Sequence, residues 1–424
     1  MEALAGIAFG LLGLATLVGV AWLFSSARGS VDWRTVVIGI GLQILFAIIV
    51  LKTSWGAAVF DGLARFFVTI IGFTQEGALF IFGDLAVQDN FGFIFAFQVL
   101  PTIIFFGSLM GVLYHLGVMQ KIVSVMAWVM TRAMRVSGAE SLSVAANVFI
   151  GQTEAPLVVK PYIPRMTQSE LLTMMVGGMA TIAGGVLAAY VILLGGGSDE
   201  LGQFYAKHLL SASIMAAPAT IVIAKLLVPE REESLTMGDV RVKVEKTAFN
   251  VIEAAANGAA DGLRLALNVG AMLLAFLALI ALLNYPLELL GEVTGIAEAL
   301  GKPTDLALIL GYVLAPLAWI IGVPSPDIVT IGGLIGQKIV ANEFVAYVAL
   351  NEVSATLTDK GRLIATYALC GFANFSSIAI QIGGIGGLAP ERKSDIARFG
   401  LRAVLGGSLV TMMTATIAGV LQSL

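Results

Sequence analysis

The chain is poor in the residues from which most catalytic and metal-binding machinery is built. Its single cysteine, Cys370, rules out a disulfide within the sequence, and in its apolar segment the thiol reads as a small packing residue. The two histidines, His115 and His208, offer no ligand-spaced pair, which argues against zinc chemistry. Charged residues make up only 12% of the sequence and leave a formal net charge of −4, with the charges expected in loops. That balance points to neither nucleic acid nor an acidic partner. Gly-rich phosphate loops, Ser/His/Asp arrangements and HExxH are missing, so hydrolytic chemistry has no residues to work with and the chain does not read as an enzyme. A basic stretch is also lacking ahead of the apolar run Leu4 to Phe24, as is a small-residue cleavage site. Residues 1–24 are therefore expected to be a retained first span rather than a signal peptide.

What is abundant is apolar surface. With 58% hydrophobic residues over 424 positions and a mean hydropathy of +0.94, the chain has too little polar surface to cover a soluble globule and is expected to be an integral membrane protein. At about 20 apolar residues per crossing, spans fall near 2–25, 35–52, 92–118, 170–195, 205–228, 258–285, 364–388 and 401–423. Residues 53–91 are apolar but carry Asp61, Arg65, Glu76, Asp84 and Asp89, and are expected to lie as helices along the interface. The stretches 138–165 and 324–352 hold polar clusters near their middles that a lipid-facing helix would not tolerate, so each is expected to be a re-entrant hairpin buried in protein.

Those two stretches carry the most informative residues, Glu154 in NVFIGQTEAPLVV and Glu343 in KIVANEFVAYVAL. A carboxylate placed in a bilayer costs about 2.5 to 3.5 kcal/mol on insertion scales, so it persists where it meets a partner, water or a ligand. From Glu154 the chain runs 27 residues to Thr181 in GGMATIAGGVLAAY, and from Glu343 it runs 31 to Asn374 in LCGFANFSSIAIQIGG. Upstream, Trp128 precedes Glu154 by 26 residues and Trp319 precedes Glu343 by 24. This correspondence also makes 305–322 the counterpart of 118–135, hence a second interfacial helix. Gly-interrupted apolar segments at matching places in two halves are the sequence pointer to a midplane transport site.

Basic residues fix the orientation. With the N-terminus outside, 17 of the 24 Lys and Arg fall on the inner side and seven outside, which favours both termini outside. Hairpin 138–165 then enters from the cytoplasm and hairpin 324–352 from the opposite face, making the repeats inverted. The charged stretch 229–249 reads as a solvated cytoplasmic loop.

Within the hairpins, Gln152, Thr153 and Glu154 set an amide, a hydroxyl and a carboxylate side by side, with Pro156 preventing a continuous helix. Such a tip can match the edge of a polar heterocycle. The Gly371, Asn374, Ser376 and Ser377 pattern should unwind the seventh crossing and free half-helix ends, and Phe372 offers a flat face at that break. Asn147, Thr181 and the carbonyls near Ile150 and Ile182 would give neutral oxygens suited to a hard cation such as sodium.

Together GQTEAP, the NEFVAY segment and GFANFSS, in this order, resemble the concentrative nucleoside transporter family over residues 35 to 420. The resemblance implies an all-α polytopic membrane protein of the bacterial, eight-crossing type. It would have inverted repeats, two opposed re-entrant helical hairpins and broken transmembrane helices, forming a homotrimer in the inner membrane that moves substrate by an elevator-like shift. Its scaffold would comprise residues 1–118 and 258–285, its transport repeats 119–228 and 286–424, with a cytoplasmic loop over 229–257. Carried over by motif, Gln152, Thr153 and Glu154 would contact the base, beside Val186 and with Phe372 packing on it. Glu343, Asn374 and Ser377 would hold the ribose hydroxyls. Sodium would sit on Asn147, the Ile150 carbonyl, Thr181 and the Ile182 carbonyl. Thr181 and Gly185 stand where many relatives carry serine, so base preference and ion affinity can differ here. The expected function is sodium-coupled import of a uridine-like nucleoside without a cofactor, with proton coupling as the alternative. A channel is disfavoured because the two halves differ chemically, QTE against NEF and TIAGG against FANFSS, as an asymmetric ligand demands.

Overall fold

The computed structural model describes residues 2–238 and 248–424, and every regular element among them of more than two residues is helical. The first half contains α1 (Glu2–Leu23), α2 (Trp33–Lys52), α3 (Ser54–Phe82), α4 (Leu100–His115) and α5 (Val118–Met134). Then come α6 (Gly138–Asn147), α7 (Gln168–Ala180), α8 (Gly184–Gly195) and α9 (Asp199–Leu227). The second half contains α10 (Val251–Val293), α11 (Leu306–Ile320), α12 (Ile328–Val340), α13 (Glu343–Val353), α14 (Asp359–Leu369), α15 (Phe375–Leu388) and α16 (Lys393–Gln422). The order of hairpin, broken helix and long helix occurs twice, over α6–α9 and over α12–α16.

Local chemistry explains most boundaries. Ser137 and Glu140 form a reciprocal capping box at the start of α6, and Thr167 with Glu170 forms another at α7, satisfying backbone donors that a helix start leaves without partners. The fourth crossing breaks at Thr181–Ala183, where Thr181 and Ala183 are extended, and resumes as α8. The seventh breaks between Leu369 and Phe375, where Asn374 caps α15. Both breaks lie where the sequence places them. The first hairpin is asymmetric: α6 is its only α-helical limb, and the return runs through 3-10 turns at Ala155–Val159 and Ile163–Arg165. Pro156, Pro161 and Pro164 remove the amide donors that a regular helix would need there.

Burial separates two kinds of helix. The most apolar windows of α7–α8, α9 and α16 are 78%, 89% and 89% buried, against 22% for α4 and 17% for α10. The former therefore make the centre of the fold, and the latter present apolar faces outward. Helices α4 and α10 cross through glycines: a Cβ on Gly262 would lie 2.8 Å from the Ile103 carbonyl oxygen, and one on Gly258 would overlap the Gly107 carbonyl. Close small-residue crossings of this kind are how apolar helices gain contact where lipid supplies no hydrophobic drive.

Three helices bear on the expected spans. Residues 54–82, expected to lie as helices along the interface, form one continuous helix of 29 residues, which by length and composition alone is also sufficient for a crossing. Its Asp61 is accounted for by an ion pair with Lys207 of α9 at 2.7 Å. Helix α10 runs 43 residues, about 64 Å at 1.5 Å per residue, well beyond 258–285 at both ends. Helix α11 has 15 residues, about 22 Å, which is too short for a 30 Å core and agrees with the interfacial reading of 305–322.

The stretch expected to be a solvated loop is partly docked. Gly138 donates its amide to the Thr236 carbonyl at 2.9 Å, Thr167 donates to Glu230 at 2.9 Å, and Ser234 bonds Glu170. Residues 239–247, with Arg241, Lys243 and Lys246, lie outside the described residues, and 251–257 belong to α10. Nor do all charges lie in loops. Lys225 is buried in α9 and pairs with Glu140 at 2.9 Å and Glu230 at 3.1 Å, a cluster that ties α6, α9 and the docked segment together. Lys338, one of the seven basic residues that the charge count leaves outside, is 1% exposed within the second hairpin.

Candidate functional site

Two hairpin tips and two helix breaks converge at one place. Gln152, at the tip of the first hairpin, donates its amide to the Ser377 hydroxyl at 3.1 Å. The Ser377 amide donates to the Asn374 side-chain oxygen at 2.8 Å. Asn374 in turn donates from its amide nitrogen to Glu343 at 2.8 Å. The other Glu343 oxygen accepts from the Tyr190 hydroxyl at 3.2 Å. One hydrogen-bonded chain therefore runs from the first hairpin, through the cap of α15, to the second hairpin and α8.

Glu343 is the first residue of α13, behind the cap Asn342, which accepts from the Val345 amide at 2.9 Å. A negative charge there is favoured by the helix N-terminus. The carboxylate is buried, 4% exposed, and both oxygens have donors. A buried charge needs such partners, and the same donors hold it in one orientation. Tyr190 packs in a tilted arrangement against Phe344 and Tyr347, with ring centroids 4.6 and 4.2 Å away. These rings shield that side of the carboxylate.

The two glutamates are not equivalent. Glu154 is exposed rather than shielded, while Gln152, two residues earlier, is buried. The hairpin tip turns the amide inward onto α15 and leaves the carboxylate on its open side. Thr153 and Phe372 are half-buried; Val186, Asn374 and Ser377 are buried. Val186 lies one turn before Tyr190 on α8, so the two share a face.

Two of the residues expected to take a cation also meet. Thr181, at the break of the fourth crossing, lies 2.8 Å from the Asn147 carbonyl oxygen and 2.9 Å from that of Gly177. Asn147 uses its amide nitrogen on the Ser143 carbonyl at 3.0 Å, but its side-chain oxygen is buried with no hydrogen-bond partner. Such a group costs about 1 to 3 kcal/mol of desolvation. Ile150, three residues after Asn147, and Ile182, next to Thr181, lie in non-helical backbone, where carbonyls are not committed to helix bonds. An orphaned acceptor among neutral oxygens, at the C-terminal end of a half-helix, suits a hard cation. Neutral oxygens of this kind are the donor set of a hard ion rather than of a transition metal.

Three site residues escape motif reading. Gln381, fully buried on α15, donates to the Gln152 side-chain oxygen at 3.1 Å and to the Met175 carbonyl at 2.9 Å. Tyr190 and Lys338 are the others. A signal existed for two of them: Gln381 follows Ser377 by four residues and Tyr190 follows Val186 by four, the spacing that puts side chains on one helix face. Gly178 of α7 makes room for this cluster. A Cβ there would lie 2.8 Å from the Gln152 Cβ and 2.9 Å from the Gln381 amide nitrogen. Gly178→Ala is thus expected to push the first hairpin tip off α15 and raise the substrate KM about tenfold, the scale of overpacking by 1 to 3 kcal/mol. Transport assays in proteoliposomes read this, and a KM within twofold of wild type would mean that another contact sets the position of Gln152.

Known proteins agree with this architecture. Residues 12–85 and 208–419 match the family described as Na+ dependent nucleoside transporter, its N-terminus and C-terminus, and residues 96–197 match a nucleoside recognition gate. The chain is 46% identical to the uncharacterised transporter YutK of Bacillus subtilis, over 97% of this chain and 99% of that protein. It is 39% identical to sodium/nucleoside cotransporter 2 of Rattus norvegicus, over 96% of this chain and 62% of the longer rat protein. Among solved structures, CNTnw in an inward-facing substrate-bound state superposes with a TM-score of 0.87 at 42% identity, covering 99% of this chain and 98% of that one. A doubly substituted CNTnw in an outward-facing state gives 0.89 at 42% identity, with the same coverage. These relatives are transporters and not enzymes. With a family model matching residues 208–419, 46% identity to one relative over nearly the whole of both chains and a shared architecture, the chain belongs to the concentrative nucleoside transporter family.

Proposed function

We propose that the protein is a sodium-coupled nucleoside symporter that imports its substrate by alternating access. The observation that carries this reading is the hydrogen-bonded chain from Gln152 through Ser377 and Asn374 to Glu343, which lines two helix breaks with groups complementary to a nucleoside. Gln152, Thr153 and Glu154 take the base edge, beside Val186 and with Phe372 on the base face. Stacking of that kind contributes about 1 to 3 kcal/mol per base. Glu343 accepts two ribose hydroxyls, supported by Asn374 and Ser377, since charge-assisted bonds are roughly twice as strong as neutral ones. Exposure of Glu154 beside the buried Gln152 makes the first hairpin tip the open side through which the base enters. Sodium travels with the substrate and is held by Asn147, Thr181 and the Ile150 and Ile182 carbonyls.

In this reading α6–α9 and α12–α16 move as a unit against a scaffold containing α4 and α10. The first hairpin enters the bacterial inner membrane from the cytoplasm, the second enters from outside, and both termini lie outside. The outward apolar face of α10 meets copies of itself in a homotrimer.

Counterflow of labelled uridine and adenosine in proteoliposomes, with sodium and pH gradients imposed one at a time, tests the reading. Uptake that follows sodium is expected. Uptake that ignores sodium and follows pH would move the coupling to Glu343 and remove the sodium role from Asn147 and Thr181.

A further inference from the structure

Lys338 is a cation built into the second repeat. It lies in the last turn of α12, the first limb of the second hairpin, and is 1% exposed. Its ammonium donates to the Ala368 carbonyl at 2.9 Å and to the Thr411 hydroxyl at 3.0 Å. Among the described residues no carboxylate comes within 4.0 Å of it. A lysine in a membrane-embedded core is costly and persists where it has a task, and its partners here are neutral oxygens.

Those oxygens have a particular origin. Ala368 belongs to the last turn of α14, the first half of the broken seventh crossing. Its carbonyl is among the last four of a helix, which have no partner within it and carry the negative end of the helix dipole. The first repeat has the same junction: the end of α6, the first limb of its hairpin, meets the end of α7, the first half of its broken crossing, through Asn147 and Thr181. One repeat supplies neutral oxygens and an orphaned acceptor at that junction, whereas the other fills it with a tethered ammonium.

We propose that Lys338 is a positioning residue for substrate: a fixed cation that does in the second repeat what the co-transported ion does in the first, pinning the hairpin to the helix break. Pinned in this way, Glu343, five residues along the same hairpin, and Asn374, beyond the same break, hold their registration whether or not sodium is bound. Only the junction in the first repeat then responds to sodium, and this chain needs a single soluble cation for binding. The inference rests on the proposed reading of the site as one for a nucleoside and sodium.

The test uses purified full-length protein in nanodiscs, with binding of labelled uridine and adenosine measured against sodium concentration. The variants are Lys338→Met, Lys338→Arg and Lys338→Ala, the last also titrated with methylammonium. Lys338→Met is expected to lose about tenfold or more in nucleoside affinity, the scale of a lost charge-assisted hydrogen bond. Lys338→Arg should regain part of that affinity. Methylammonium should restore binding to Lys338→Ala in a saturable way and leave wild type unchanged. Affinity within twofold of wild type in Lys338→Met would overturn the proposal. So would a loss shared by all three variants, accompanied by a lower unfolding temperature and no response to methylammonium, because that pattern marks a packing role. Wild-type protein that binds neither nucleoside would instead remove the functional reading, and the inference along with it.

Discussion

Glu343→Gln is expected to weaken nucleoside binding by about two orders of magnitude while leaving the fold in place. The carboxylate is the one buried acid in the hydrogen-bonded chain of the site, and both of its oxygens already face donors, Tyr190 at 3.2 Å and Asn374 at 2.8 Å. A ribose would present two hydroxyls to the same oxygens. Hydrogen bonds to a charged group contribute about 1.5 to 3 kcal/mol each, so two of them weakened by neutralisation correspond to about a hundredfold in Kd. Glutamine keeps the shape but also turns an amide donor toward Tyr190 or Asn374, which are donors themselves. The cost to folding is smaller, about 0.3 to 1 kcal/mol for a charge lost at a helix N-terminus. Equilibrium binding and proteoliposome uptake, with thermal unfolding measured in parallel, separate the two effects. Unchanged uptake would refute the ribose role.

Asn147→Leu is expected to abolish the sodium dependence of binding and to leave the sodium-free protein as stable as wild type or more so. The sign follows from the buried Asn147 side-chain oxygen, which has no hydrogen-bond partner in the protein, so the wild-type fold carries a desolvation cost that a bound cation would offset. Leucine removes that acceptor at similar volume. Thr181→Val removes the neighbouring hydroxyl, now shared between the Asn147 and Gly177 carbonyls, and should act in the same direction. In wild type, sodium at a hundred times its Kd should add about 2.7 kcal/mol of stability by mass action, visible as a rise in unfolding temperature that potassium does not reproduce. In both variants that rise should vanish. A sodium-dependent rise that survives both substitutions would place the ion elsewhere.

Much of this site is legible in the sequence, for a local reason. Helix breaks at Thr181 and at Gly371–Asn374 are written in residue types that unwind or cap a helix, and Pro156 stops the first hairpin on its own. Capping boxes at Ser137 and Thr167 obey the same short-range chemistry. The paired glutamates stand out because charge in an apolar stretch is costly wherever the chain goes. Charge counting does not reveal the burial of Lys338 and Lys225, because it assumes that a cation near a span end faces water. Exposure of Glu154 is likewise beyond a composition argument, since the turn at Gln152 decides which of two polar side chains, two residues apart, points inward.

The sequence by itself determined the solvent this chain must fold in, the places where its helices must stop and the acids that stand out in its apolar stretches. Each follows from the free energy of burying a charge or leaving a backbone amide without a partner, quantities fixed by the residue and its immediate neighbours. Tertiary structure alone decided the pairings: Gln152 with Ser377 and Gln381, Glu343 with Tyr190, and Lys338 with the end of the broken seventh crossing. The first three join residues 225, 229 and 153 positions apart. At such separations only the packing of whole helices brings a given donor to a given acceptor.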